Sequence, residues 1–114
     1  MKPLETYATG VDGGKRGRMS IHKTFFGGLS AVSKGEMLNA LSPVEGSAGY
    51  VAVEQVKGEL EGKKGSFVLQ HYGLMGGDRG RLLTLEVVPN SGTGELEGLT
   101  GKMEIKNREW SALL

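Results

Sequence analysis

Glycine cuts this chain into short runs, and that punctuation limits its possible folds more than any other feature. There are 20 glycines in 114 residues, about 18% against a usual share of about 7%. They follow no strict three-residue period and only 3 prolines accompany them, so a collagen-like helix is excluded. Hydrophobic residues make up 38% and the net charge is +1, which excludes a disordered chain. Between the glycines lie β-prone runs of roughly five to twelve residues, too short and too alternating for a long amphipathic helix. The length fits one domain with one core.

Residues 1–18 are polar and Gly-rich and read as an N-terminal arm, with one irregular strand around Thr6, Tyr7 and Ala8. Residues 19–114 read as the domain. Ser20 to Phe26 is a strand ended by Gly27 and Gly28. Ser33 to Leu41 can be read at helical spacing through Leu29, Val32, Met37, Leu38 and Leu41, but Gly35 inside it and Pro43 after it favour a strand. Tyr50 to Glu61 is the clearest strand, with Val51 and Val53 on one face. Gly62 to Gly65 marks a hairpin turn into Ser66 to Tyr72, and Met75 to Gly80 marks the next turn, before Arg81 to Val88. Pro89 to Gly92 closes that strand, because proline cannot donate to a ladder and Asn and Gly accept positive φ. Gly94 to Leu96 and Lys102 to Lys106 are the last clear strands; Trp110 and Leu113-Leu114 continue as a strand or a short helix. The segment Gly58 to Leu69 aligns without a gap with Gly94 to Ile105, and Gly28 to Leu38 is a looser copy. The shared G-x-L-x-G-x-x-G pattern reads as one hairpin used repeatedly. Such spacing predicts an all-β meander, either a barrel or a sandwich, with a closed antiparallel barrel favoured because so short a chain has little else to cover its sheet edges.

The absence of cysteine rules out disulfides, a Cys-based zinc site and a thiol nucleophile. His22 and His71 are far apart and form no ligand pair, so neither a metal nor another cofactor is expected. Ser20 and Lys23 match S-x-x-K by type, yet on a strand they stand about 10 Å apart, too far for the acyl-transfer chemistry of that motif. Fourteen Lys and Arg are balanced by thirteen Asp and Glu, which gives no field for a nucleic acid. The cluster Lys15, Arg16 and Arg18 reads as a solvated basic loop. No run is apolar enough to span a membrane and Met1 to Glu5 lacks a signal core, so a cytoplasmic protein is expected.

The constellation that carries chemistry is Glu54, Gln55, Gln70 and His71, on two strands joined by one turn. Side chains alternate, so one of each neighbouring pair faces a barrel interior. With Gln55 and His71 inward, among Val51, Val53, Phe67 and Leu69, the interior is an apolar cavity with polar handles. With Glu54 and Gln70 inward, a buried carboxylate can serve as a base. Alternatively these polar residues sit on a solvated or subunit-facing surface. Glu36 and Glu86 lie on neighbouring runs with the same ambiguity.

Ser33 to Leu38, Gly46 to Glu54, Gly65 to His71 and Val88 to Leu96 resemble the signature blocks of a family of small bacterial proteins of unknown function. That family is similar in fold to the plant allene oxide cyclases, so the resemblance implies a closed antiparallel barrel of about eight strands. Where the cyclase pocket has a cysteine this chain has Val51, and the first-strand glutamate and asparagine of the cyclases have no counterpart. The resemblance therefore implies the fold and not the cyclase activity. The leading expectation is a barrel that binds a small hydrophobic or amphipathic molecule through Glu36, Val51, Glu54, Gln55, Gln70 and His71, as a homo-oligomer. The alternatives are an isomerase or cyclase-type enzyme using an interior Glu or His, and a packed barrel whose outer face meets a protein partner.

Overall fold

The computed structural model describes residues 2–5, 14–76, 81–106 and 109–113, and among them every regular element is a strand. No helix among the described residues is long and apolar enough to cross a membrane, which says nothing about strands. The strands are β1 (Lys2–Leu4), β2 (Lys15–Phe25), β3 (Leu29–Leu41), β4 (Ser47–Leu60), β5 (Lys63–Gly76), β6 (Arg81–Val87), β7 (Thr93–Gly94), β8 (Lys102–Lys106) and β9 (Glu109–Leu113). Eight of them form one antiparallel path, β1-β2-β3-β4-β5-β6-β8-β9, and β7 pairs with β5 off that path. The expected all-β meander is thus present. The expected closure is not: no ladder among the described residues joins the two ends, and the sheet is open.

Three strands dominate. β3, β4 and β5 have 13, 14 and 14 residues, so each spans about 45 Å. The turn between β4 and β5 explains how they keep register. Glu61 and Gly62 both have positive φ, 51° and 81°, the combination that matches a two-residue hairpin loop to the strand twist. Leu60 therefore pairs with Lys63, and the ladder runs without a break to Ser47 opposite Gly76. The turn expected at Gly62 to Gly65 lies two residues earlier, because the positive-φ pair sits at Glu61-Gly62 and Lys63 already belongs to β5.

The aligned repeat does not fold twice in the same way. Its first copy is the β4–β5 hairpin, whereas in the second Thr93–Gly94 is a two-residue strand followed by turns that lead to β8. What the copies share is a buried leucine, Leu60 in one and Leu96 in the other, both in the same core. Basic residues expected in a loop, Lys15, Arg16 and Arg18, instead begin β2, where Lys15 pairs with Leu41 and Arg18 with Leu38. In the N-terminal arm, Lys2–Leu4 pairs with Ser20 to Arg18 of β2. The strand expected around Thr6 to Ala8, most of the Met75 to Gly80 turn and Leu114 lie outside the described residues. Trp110 falls in a strand, and Lys102–Lys106 has the expected bounds.

The core occupies one end of the inner face. Phe25, Leu29, Ala31, Val56, Leu60, Phe67, Leu69, Leu85 and Val87 pack there with Leu96 and Met103. The loop carrying Leu96 and Leu99 folds over this end, tied down where Leu96 N–H donates to Thr93 O at 3.0 Å and Glu95 N–H donates to Lys64 O at 2.9 Å.

Candidate functional site

Alternation along β4 puts Tyr50, Ala52, Glu54 and Val56 on the inner face, and Val51, Val53 and Gln55 on the outer. On β5 the inner positions are Phe67, Leu69, His71 and Gly73. Ser33 of β3 and Lys23 of β2 lie on the same face, paired with each other in register. These residues converge on Glu54, whose side chain is 0% exposed. Ser33 Oγ donates to its Oε1 at 2.7 Å, His71 Nε2 lies 2.5 Å from its Oε2, and Lys23 Nζ stands 3.4 Å from the same oxygen. The Tyr50 hydroxyl is 2.9 Å from the other imidazole nitrogen, Nδ1, with the two rings edge to face at 5.4 Å. A carboxylate only accepts, so Nε2 carries a proton; in the neutral imidazole Nδ1 then accepts from Tyr50. The result is a chain of hydrogen bonds from Tyr50 through His71 to Glu54, closed by Ser33 and Lys23.

Burial by itself pushes the Glu54 carboxyl upward, but the hydrogen bonds from His71 and Ser33 and the charge of Lys23 outweigh it and hold the group below its ordinary value. Burial, and then the charge on Glu54, raise the Tyr50 phenol. No buried side-chain polar atom among the described residues lacks a partner. Burying so many polar groups is costly even when they are satisfied, and a cavity adjoins them.

That cavity, about 410 Å³, opens on the inner face at the end away from the core. Its walls include Met37, Leu41, Ala48, Met75 and Leu83, and among the described residues its polar side chains are those of Asn39 and Tyr50, which are directly opposite in register. Tyr50 therefore belongs to both the cavity wall and the buried chain. Its ring lies over Gly73: a Cβ at that position would come within 2.5 Å of Tyr50 Cε1. Glycine there lets the ring lie against β5 with its hydroxyl at His71.

Of the six residues expected to bind a ligand, the structure brings Glu54 and His71 together and sends the other four to the opposite face. Glu36, Val51 and Gln70 line an outer groove of about 570 Å³ with Arg18, Val53 and Tyr72. Arg18 Nε donates to Glu36 Oε1 at 2.6 Å in that exposed setting. Gln55 is exposed on the outer face between Lys34 and Val68. The inward pair is thus neither of the two considered from sequence, since β4 contributes its glutamate and β5 its histidine. Tyr50, Ser33, Lys23 and Asn39 were missed. Parity was the signal that could have found Tyr50, four residues before Glu54 and so on the same face. His22 is exposed beside Lys34, and Ser20 and Lys23 point to opposite faces. No group of three or more His, Cys, Asp or Glu that could hold a metal occurs among the described residues.

Comparison with known proteins is consistent with this architecture. A crystal structure of a protein with unknown function from the DUF3224 family of Shewanella oneidensis MR-1 is 57% identical to this chain, covering 96% of it and 82% of its own length, with a TM-score of 0.87. No curated protein matches. The family described as protein of unknown function (DUF3224) matches residues 1–113. The chain accordingly belongs to the DUF3224 family.

Proposed function

We propose that this protein binds a neutral, largely apolar small molecule with one polar group, held in the inner-face cavity with that group at Tyr50 and Asn39. The observation that carries this reading is the double membership of Tyr50, which lines an apolar cavity while hydrogen-bonded to a buried His71–Glu54 pair. A site of this kind has the usual make-up of small-molecule pockets, mostly apolar with a few fixed polar groups. Among the described residues, none of those lining it is charged, which favours a neutral ligand over an anion. A barrel-like curl of the sheet is part of the reading, supported by the approach of β9 to within 8 Å of β3 between Cα atoms.

Titration with the neutral dye Nile red tests it. Saturable fluorescence enhancement is expected, displaced by medium-chain neutral alcohols and ketones. Ala48→Trp, which puts a large ring on the cavity wall, should weaken dye binding by about tenfold, or about 1.4 kcal/mol, and leave the urea midpoint near that of the parent. Dye binding that does not saturate, or that is unchanged in Ala48→Trp, overturns the proposal.

A further inference from the structure

The order of groups along the buried chain suggests more than binding. Tyr50 lines the cavity, its hydroxyl donates a hydrogen bond to an imidazole, and a buried carboxylate holds the far side of the imidazole. This is the arrangement of a nucleophile or base, a proton acceptor and an orienting carboxylate, with a phenol in the first place. Asn39, opposite Tyr50 on β3, supplies an amide to the same cavity wall.

We propose that the cavity is an active site for proton abstraction from a neutral ketone, with Tyr50 as the catalytic base and His71 and Glu54 behind it. The inference rests on the binding reading above. In the forward step the α-carbon proton passes to Tyr50 Oη as the phenol's own proton passes to His71 Nδ1. The C–H electron pair becomes the enolate double bond, and the carbonyl oxygen takes the negative charge, facing the Asn39 amide. The imidazolium so formed keeps its Nε2–H on the ionised Glu54. In the return step Tyr50 delivers a proton to the α-carbon or, in an enone, to the γ-carbon, and Nδ1–H restores the phenol. The net result is proton exchange or double-bond migration, with no oxidant, reductant or second substrate. The raised phenol stays protonated at rest, so the two proton movements are coupled and no free tyrosinate is required. His71 and Glu54 are positioning residues in this scheme, since neither lines the cavity itself.

Methyl octyl ketone in heavy water is the probe, with α-proton exchange followed by NMR and binding by saturation-transfer difference on the same samples. The intact chain should exchange the α-protons about a hundredfold faster than buffer, with saturation. Tyr50→Phe, which loses one polar contact to the carbonyl, should bind the ketone roughly fivefold more weakly and, when saturated, exchange it at the buffer rate. His71→Gln should keep binding, lose most of the rate, and show a residual rate that climbs steadily with pH where the parent is flat. A ketone that binds but exchanges no faster than in buffer overturns proton abstraction and leaves binding standing, and so does a Tyr50→Phe variant that retains the full rate. A ketone that does not bind the intact chain overturns this proposal and the reading beneath it together.

Discussion

The two ends of the inner face are built from the same strands with the same alternation, yet they have opposite fates. At one end Phe67 is 2% exposed and Leu69 0%. At the other, Leu41, Met75 and Leu83 are 48%, 43% and 44% exposed. Composition does not separate them, since both are lined by Leu, Met, Ala and Tyr or Phe. Coverage does. The Leu96–Leu99 segment and Met103 close one end, and no element among the described residues packs over the other. Buried apolar area holds a fold together, at roughly 25 cal/mol per Å²; apolar area left in a concavity remains available to a ligand. The hydrogen-bonded chain of Tyr50, His71 and Glu54 marks the boundary between them.

Substitutions should respect that boundary. Phe67→Ala should have the largest effect, a loss of about 3 to 5 kcal/mol in urea unfolding, because it empties the closed end. Glu54→Ala, at the boundary, should cost about 3 kcal/mol by leaving His71 and Ser33 buried, and Lys23 half-buried, without the acceptor they share. Glu54→Gln should cost less, since an amide oxygen still accepts from Ser33.

A pH series probes the same carboxylate. Its value in the folded chain lies below the ordinary 4.5, so its contribution to stability is present above that pH and is lost as the pH falls through the lower folded value. The parent's melting temperature should therefore drop on acidification below about 4.5 more steeply than that of Glu54→Gln. Equal slopes would show that Glu54 is not held ionised by its partners. Leu83→Ala should be mildest for stability, within about 1 kcal/mol, while weakening Nile red binding. A cost there equal to that of Phe67→Ala would mean that the two ends do not differ.

Much of the fold was legible because glycine, proline and asparagine act locally. The strand-end at Gly27-Gly28, the turn after Val87 where Asn90 has φ 61°, and the long β4–β5 hairpin all follow from backbone preferences that neighbouring residues settle. Closure was not legible, because whether the first and last strands meet depends on curvature summed over eight strands. The site was half legible. Polar residues at Glu54 and His71 stood out in apolar runs, but their parity did not, since β4 is as apolar on its outer face, through Val51 and Val53, as on its inner one. That outer stripe, with Leu38, Tyr72 and Leu74, removes the contrast by which alternation ordinarily reveals the inside. Asn39 was hidden for a different reason: it is unremarkable in its own run and acquires meaning only from Tyr50, opposite it on another strand.

The two-residue turn at Glu61-Gly62 has a consequence for assembly during folding. Ser33, Tyr50, Glu54 and His71 come from three strands, and their meeting depends on both ladders being aligned. Were β5 to slip by one residue, His71 would leave the inner face and Gln70 or Tyr72 would take its place, leaving the Glu54 carboxylate buried beside the wrong neighbour. A mispaired chain thus pays an electrostatic penalty in addition to its packing loss. The polar cluster proofreads the sheet, and a molecule in which it is fully hydrogen-bonded is by that fact one whose long hairpin has closed in the correct frame.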